Sequence, residues 1–279
     1  MIRLVLLGYI SFTSFDASSQ TDSTEKEIEL GQKAQNPLAD LFIIPFQNNI
    51  SFNNTQNKST GYIMNIQPIF PVKIGKLSIV NRTVFGFGYM PGITAGNGAI
   101  PEGAADDGNT GGTWGGLDLN WTGFFTPKSI GDFHWGIGPS LTIPIASDSR
   151  LGSGKWSLGP SIAVVWQPKK WTLDVILRQL WSVGGNSERQ DVNQLYIQPL
   201  VAFNLNNGWA LATMPVITSN WDKISSERWL IPIGGGFNKL FKFKKTPLLL
   251  MCHYYYHAVR PEIAPTSELR IQLSIILAK

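Results

Sequence analysis

Asp174 and Arg178 stand four residues apart, and His253 and His257 repeat that spacing further along the chain. On an extended backbone residues four apart share a face about 13 Å from one another. That is too far for Asp174 and Arg178 to pair, so each needs a partner on a neighbouring strand. Two histidines so spaced on a helix would suggest zinc, but on a strand they do not converge. As general bases His134, His253 and His257 would need a nucleophile, and no serine in a recognisable nucleophile setting accompanies them. A lipid hydrolase is therefore the weaker alternative, and no enzymatic activity is expected. Gly234-Gly235-Gly236 precedes no helix that would complete a phosphate cradle; small residues there allow a bend or close packing. Cys252 is the single cysteine, which excludes an internal disulfide or a cysteine zinc site. Neither a metal site nor a cofactor is expected.

The remaining chemistry belongs to polar residues that fall on one phase of an alternating pattern. They are Gln47 with Asn49, Asn65 with Gln67, Arg82, Asp118 with Asn120, and Asp174 with Arg178, then Gln194 with Gln198, Arg228, and Arg270 with Gln272. Two uses fit them. They can line a polar channel whose groups of both signs act on solutes, or they can pair across a narrow lumen and brace it.

Both uses require strands to carry the residues. Leu269, Ile271, Leu273, Ile275 and Leu277 alternate with Arg270, Gln272 and Ser274, and Trp135, Ile137, Leu141 and Ile143 alternate with Gly136, Gly138, Ser140 and Thr142. Period two with one apolar and one polar side is the mark of a strand. Twelve such stretches are predicted, at 41–52, 61–71, 76–88, 114–126, 133–146 and 156–167, then 170–182, 193–205, 208–219, 228–241, 247–258 and 268–278. Each approaches the roughly 9 to 11 residues that cross a bilayer when tilted. Links after even strands are short, as at Pro168-Lys169 and Asn206-Asn207, and links after odd strands are generally longer and polar, as from Tyr89 to Thr113. A Greek-key sandwich would not sort its loops in this way. An up-and-down transmembrane barrel does, with short periplasmic turns and longer extracellular loops. Trp114, Trp135, Trp156, Trp171, Trp181, Trp209, Trp221 and Trp229 sit at or near strand ends, where an interfacial girdle belongs.

Composition agrees. Charged residues are 15% of the 279, against about 25% in an ordinary soluble domain. The net charge of +4 is spread without a basic block, which argues against nucleic acid. Arg3, the apolar run Leu4 to Phe12 and Ala17-Ser18-Ser19 read as an export signal over residues 1–19, cleaved before Gln20. Residues 20–40, with Glu25, Glu27, Glu29 and a short helix through Ile28 to Ala34, are expected in the periplasm, as a leader under the barrel or a plug within it. The barrel is expected over 41–279. Glu102, Asp106 and Asp107 give the longest loop an acidic character that suits either a solvated loop or a flap over the mouth with weak affinity for divalent cations.

Several stretches also carry a resemblance. Residues 33–41, KAQNPLADL, leading into Pro45-Phe46-Gln47-Asn48-Asn49, are one such stretch, with Asn65-Ile66-Gln67-Pro68, the segment 150–156 RLGSGKW, Arg178-Gln179-Leu180-Trp181, Asp191-Val192-Asn193-Gln194 and Glu227-Arg228-Trp229. Together they resemble a family of bacterial outer-membrane transporters grouped with meta-pathway phenol-degradation barrels and sometimes mislabelled neuromedin U. The resemblance spans roughly residues 30–279 and brings no catalytic residues. It implies an outer-membrane, porin-like channel or transporter for small solutes, small hydrophobic or aromatic molecules among them, with outer-membrane lipid and the barrel-insertion machinery as partners. A barrel that transports nothing and serves as structure is the alternative. Such barrels commonly finish on an aromatic residue, whereas this chain finishes Leu277-Ala278-Lys279. Neither the solute nor the oligomeric state is written in the sequence.

Overall fold

A computed structural model describes residues 17–54, 58–91 and 111–277. Residues 1–16 of the stretch expected as an export signal (1–19) and the acidic residues of the longest loop, Glu102, Asp106 and Asp107, lie outside the described residues. Among the described residues one helix, α1 (Ala17–Gln35), is followed only by strands and a single short turn of helix at Asn206–Gly208. The strands are β1 (Phe42–Asn54), β2 (Ser59–Ile66 and Ile69–Ile74), β3 (Leu77–Met90), β4 (Thr113–Gly116 and Leu119–Thr126), β5 (Phe133–Ile143) and β6 (Lys155–Trp166). They continue as β7 (Trp171–Gly185), β8 (Asn193–Asn204), β9 (Trp209–Thr213 and Ile217–Asn220), β10 (Trp229–Phe243), β11 (Thr246–Val259) and β12 (Ser267–Leu277).

Every strand pairs antiparallel with the next, and β1 pairs with β12 from Phe42 opposite Leu277 to Phe52 opposite Ser267. The sheet is therefore a closed barrel of twelve strands, and closure leaves no open edge to be satisfied. The three interruptions were not legible from alternation. In β2 the break falls at Gln67-Pro68 and in β9 at Met214-Pro215-Val216, where proline offers no N–H to the ladder. In β4 it falls at Leu117-Asp118, where the Asp118 carboxylate leaves the wall to serve a loop, as described below.

The short turns are made by residues that accept a left-handed backbone. Gly75 (φ 60°) sits between β2 and β3, and Lys244 (φ 56°) opens the two-residue turn between β10 and β11. A right-handed strand twist is matched by such turns and fixes the register of both hairpins.

The outside of the barrel is apolar. Ile137, Leu158, Ile162, Leu211, Ile233 and Phe237 are all exposed large hydrophobics on the outer phase. Tryptophans mark both rims of this band: Trp114, Trp156 and Trp181 towards the long loops, and Trp135, Trp166, Trp171 and Trp209 towards the short turns. Ile137 lies well within its strand and is half exposed. Its replacement by Arg is expected to destabilise the barrel in lipid vesicles by about 2–4 kcal/mol, the cost of a cation near the bilayer midplane. Urea unfolding of the vesicle-inserted protein measures it, and a cost near zero would mean that this face does not meet hydrocarbon.

Inside, the barrel is polar in its middle and at the long-loop end. Towards the short turns apolar residues predominate, among buried Thr126, Thr172, Asn204 and Ser274. Val80, Phe124, Ala163, Val165 and Ile176 form one cluster with Leu38, while Ile43, Leu240, Leu249, Met251 and Ile276 form another, packed against Leu30, Ala34 and Leu41. Leu38 and its neighbours come from the segment between α1 and β1, so the apolar end of the lumen is filled by the chain's own amino-terminal stretch. Helix α1 extends well beyond the Ile28–Ala34 turn expected from the sequence.

Candidate functional site: a divided lumen

Burying that segment also requires partners for its polar groups. Gln32 Nε2 donates to the carbonyls of Lys169 (2.9 Å) and Trp171 (2.8 Å) at the β6–β7 turn, and Gln167 Nε2 returns a bond to Gln32 O at 2.8 Å. Asn36 Nδ2 donates to Gln167 Oε1 at 3.1 Å, and Gln35 Nε2 to Asn204 Oδ1 at 3.1 Å. The Asn36 side chain also accepts from Leu38 N at 2.8 Å, turning the chain inward after the helix. Residues 32–38 thus form a floor across the short-turn end.

Above the floor lies a small chamber of about 80 Å³, bounded by Ala34–Pro37 below, by Ile43, Leu200, Leu249 and Met251 at its sides, and by Asp174. Above this lies a second chamber of about 220 Å³ whose wall is polar and apolar in about equal measure. Gln47, Gln67, Arg82, Ile176 and Gln198 border both chambers. They are the septum between them.

The septum is a run of hydrogen bonds. Gln47 Nε2 donates to Asn49 Oδ1 at 2.9 Å, Gln67 Nε2 to Gln47 Oε1 at 3.0 Å, and Arg82 Nη2 to Gln67 Oε1 at 2.7 Å. From β3 the guanidinium then reaches over the bore to β8, where Nη1 lies 3.5 Å from Gln198 Oε1, at the outer limit of a hydrogen bond. Tyr196 Oη donates to the same Gln198 oxygen at 3.0 Å, and the Arg178 guanidinium stacks 4.7 Å from the Tyr196 ring centre. Tyr196 stands directly opposite Arg178 in the β7–β8 register, so the partner that Arg178 needed comes from the adjacent strand.

Arg270 anchors a different part of the wall. Only 3% exposed, it donates to Glu268 Oε1 (3.0 Å), Asn49 Oδ1 (3.1 Å) and Met214 O (2.7 Å), and lies 5.0 Å from the Tyr255 ring centre. Met214 N donates to Tyr255 Oη at 2.8 Å. The proline-broken bend of β9 is therefore held by Arg270 and Tyr255 together.

At the long-loop end Asp118 takes hydrogen bonds from Ala146 N (3.1 Å), Ser153 N (2.7 Å) and Ser153 Oγ (2.9 Å). It pins the β5–β6 loop, which seats Leu151 at 1% exposure beside Met90. Within that loop Arg150 grips Asp148 through Nε at 2.9 Å and Nη2 at 3.0 Å. This bidentate hydrogen bonding holds the Asp148 carboxyl well below the usual carboxylate range.

Of the residues singled out by phase, Gln47, Asn65, Gln67, Arg82, Asp118, Arg178, Gln198 and Arg270 border the upper chamber. Asp174 does not; it faces the lower one, because it sits two residues nearer the short turns than Ile176. Arg228 corrects the expectation more strongly. It precedes β10, in the loop above the wall, where it donates to Lys223 O and lies 5.8 Å from the Trp221 ring centre. Glu268 and Tyr196 belong to the upper chamber and Tyr255 braces its wall, yet the sequence did not single them out; all three share the inward parity of Arg270, Gln198 and His253. His253 is held between Tyr255 Oη and Asn238 Oδ1, each at 2.9 Å, and His257 Nδ1 lies 2.7 Å from Pro265 O. Neither histidine has serine among these partners.

No protein-family model matches the chain, and no curated protein sequence does. Solved structures do match in fold. The COG4313 outer membrane channel from Pseudomonas putida F1 aligns with a TM-score of 0.60 at 16% identity, over 85% of this chain and 94% of that one. The NanC porin aligns with a TM-score of 0.51 at 10% identity, over 85% of this chain and 100% of that one. The fold is that of bacterial outer-membrane barrels, which places the short turns on the periplasmic side and the long loops outside.

Proposed function

We propose that the chain is an outer-membrane channel for small solutes, closed at rest by its own amino-terminal segment. The observation that carries this reading is a pair of unfilled chambers inside an apolar-jacketed barrel, the upper one lined by Arg, Asp, Gln and Asn and the lower one mostly apolar. A structural barrel has no need of unfilled space lined by Arg, Asp, Gln and Asn, since burying polar groups is unfavourable unless water or solute satisfies them. Both chambers are small, so the solutes are small, and the apolar sides of the lower chamber suit molecules with a hydrophobic part. The family resemblance points to the same class, including aromatic molecules. Likeness of fold to a channel and a porin supports the reading without naming a solute.

The cross-lumen hydrogen bonds favour one other reading, a barrel braced shut that serves as structure. Single-channel recording of the purified, folded protein in planar bilayers separates the two. Brief, small conductance steps are expected, because floor and septum lie in series. Complete absence of steps from folded protein, with or without the floor, would leave the structural reading standing.

A further inference from the structure

We infer that Arg82 is the latch of the septum, and that Asp174 is its second resting place. This rests on the reading of the lumen as a solute path and names the side chain that opens it.

The two acceptors, Gln198 and Asp174, stand on neighbouring strands. In the β7–β8 register Gln198 pairs with Ile176 and Leu200 pairs with Asp174. Gln198 and Asp174 therefore lie on the same wall, two residues apart in height, or about 7 Å at the rise of a strand. Arg82 faces them from β3 and borders both chambers. Its hold on Gln67 is short, at 2.7 Å, whereas its reach to Gln198 is 3.5 Å. The contact that shuts the bore is thus the weaker of the two.

Asp174 supplies the alternative. It borders the lower chamber, as Arg82 does, and accepts no hydrogen bond from a described residue. A carboxyl oxygen bordering an apolar chamber is an acceptor for a guanidinium, and a cation brought against it favours the charged carboxylate. An arginine side chain has rotatable bonds enough to trade Gln198 for Asp174 without moving the backbone. Turned down, it leaves Gln198 to Tyr196 and joins the two chambers. Turned up, it separates them. The two states trade one hydrogen bond from the guanidinium for another.

Thiol accessibility of the lower chamber tests the latch without asking for transport. Leu200 borders that chamber. With Cys252 replaced by Ala, Leu200→Cys in the full-length protein is treated with a small methanethiosulfonate reagent, and the rate of modification is followed by mass. Folding of each variant is checked by its compact migration on unboiled gels. Gln198→Leu, which removes the upper partner, is expected to raise the rate several-fold, and Asp174→Asn to lower it. In an Arg82→Gln background the rate is expected to be high and indifferent to Asp174→Asn. The latch is overturned if Asp174→Asn slows modification equally with and without Arg82, or if Gln198→Leu leaves the rate unchanged. Absence of conductance together with the expected thiol rates would remove the channel reading and leave the latch. Conductance with unresponsive thiol rates would do the reverse.

Discussion

Deleting residues 20–38 is expected to convert brief, small openings into steps several-fold larger. The floor is made by this stretch alone: Gln32 and Asn36 hold the β6–β7 turn, Gln35 holds Asn204, and Leu38 fills the cluster of Val80, Phe124 and Val165. Nothing else described spans the periplasmic end beneath the lower chamber. Leaving Val80 and Phe124 facing water costs the apolar area that Leu38 covered, about 1.5–3 kcal/mol for one such side chain, which a closed barrel can bear. A tethered variant guards against a truncated chain that folds poorly. With Cys252 replaced by Ala, Asn36→Cys and Gln167→Cys are joined by a short cleavable bis-thiol reagent, which fixes the segment where it lies. Conductance should fall on tethering and return on cleavage. A tethered protein that conducts as freely as the truncated one would show that the floor is not the barrier.

Arg270→Met should be the most destabilising single change in the wall. Its guanidinium satisfies Glu268, Asn49 and Met214 O in a site where Arg270 is 3% and Glu268 7% exposed. Removing the cation strands a buried carboxylate and two acceptors, and breaking a buried pair in this way costs about 3–5 kcal/mol. The bend of β9 at Met214 loses one of its two holds at the same time. Pairing the change with Glu268→Leu removes the stranded charge, so the double variant should recover much of the loss. The urea midpoint of the compact band on unboiled gels measures both. A single variant that unfolds with the wild-type midpoint, or a double variant weaker than the single, would contradict this account of the anchor.

How much of this was legible beforehand follows from what strand geometry transmits. Period two assigns each residue to the inner or outer face and needs no knowledge of neighbours. The twelve strands and the inward phase assigned to residues such as Gln47, Arg82 and Arg270 came from it, while the parity of the loops and the placement of the tryptophans were separate signals. Arg228 keeps the inward phase, and its carbonyl accepts from Asn220 N in continuation of the β9–β10 register, but its side chain turns to Lys223 O and the Trp221 ring above both chambers. The apolar floor also had a signal that went unread. Val80 shares the phase of Arg82, Phe124 that of Thr122, and Ile276 that of Ser274. Inward apolar residues gathered at one end of a barrel imply something packed there.

Face and end are therefore properties of the sequence itself, since a pleated strand carries them residue by residue. Pairing across the bore is not. That Arg82 meets Gln67 and nears Gln198, that Arg178 finds Tyr196, and that Asp174 faces a separate chamber depend on barrel closure, register and the seating of residues 32–38. These contacts join strands far apart in the chain. Distances of 2.7 Å and 3.5 Å, which separate a hold from a latch, are fixed only when all twelve strands and the floor are in place.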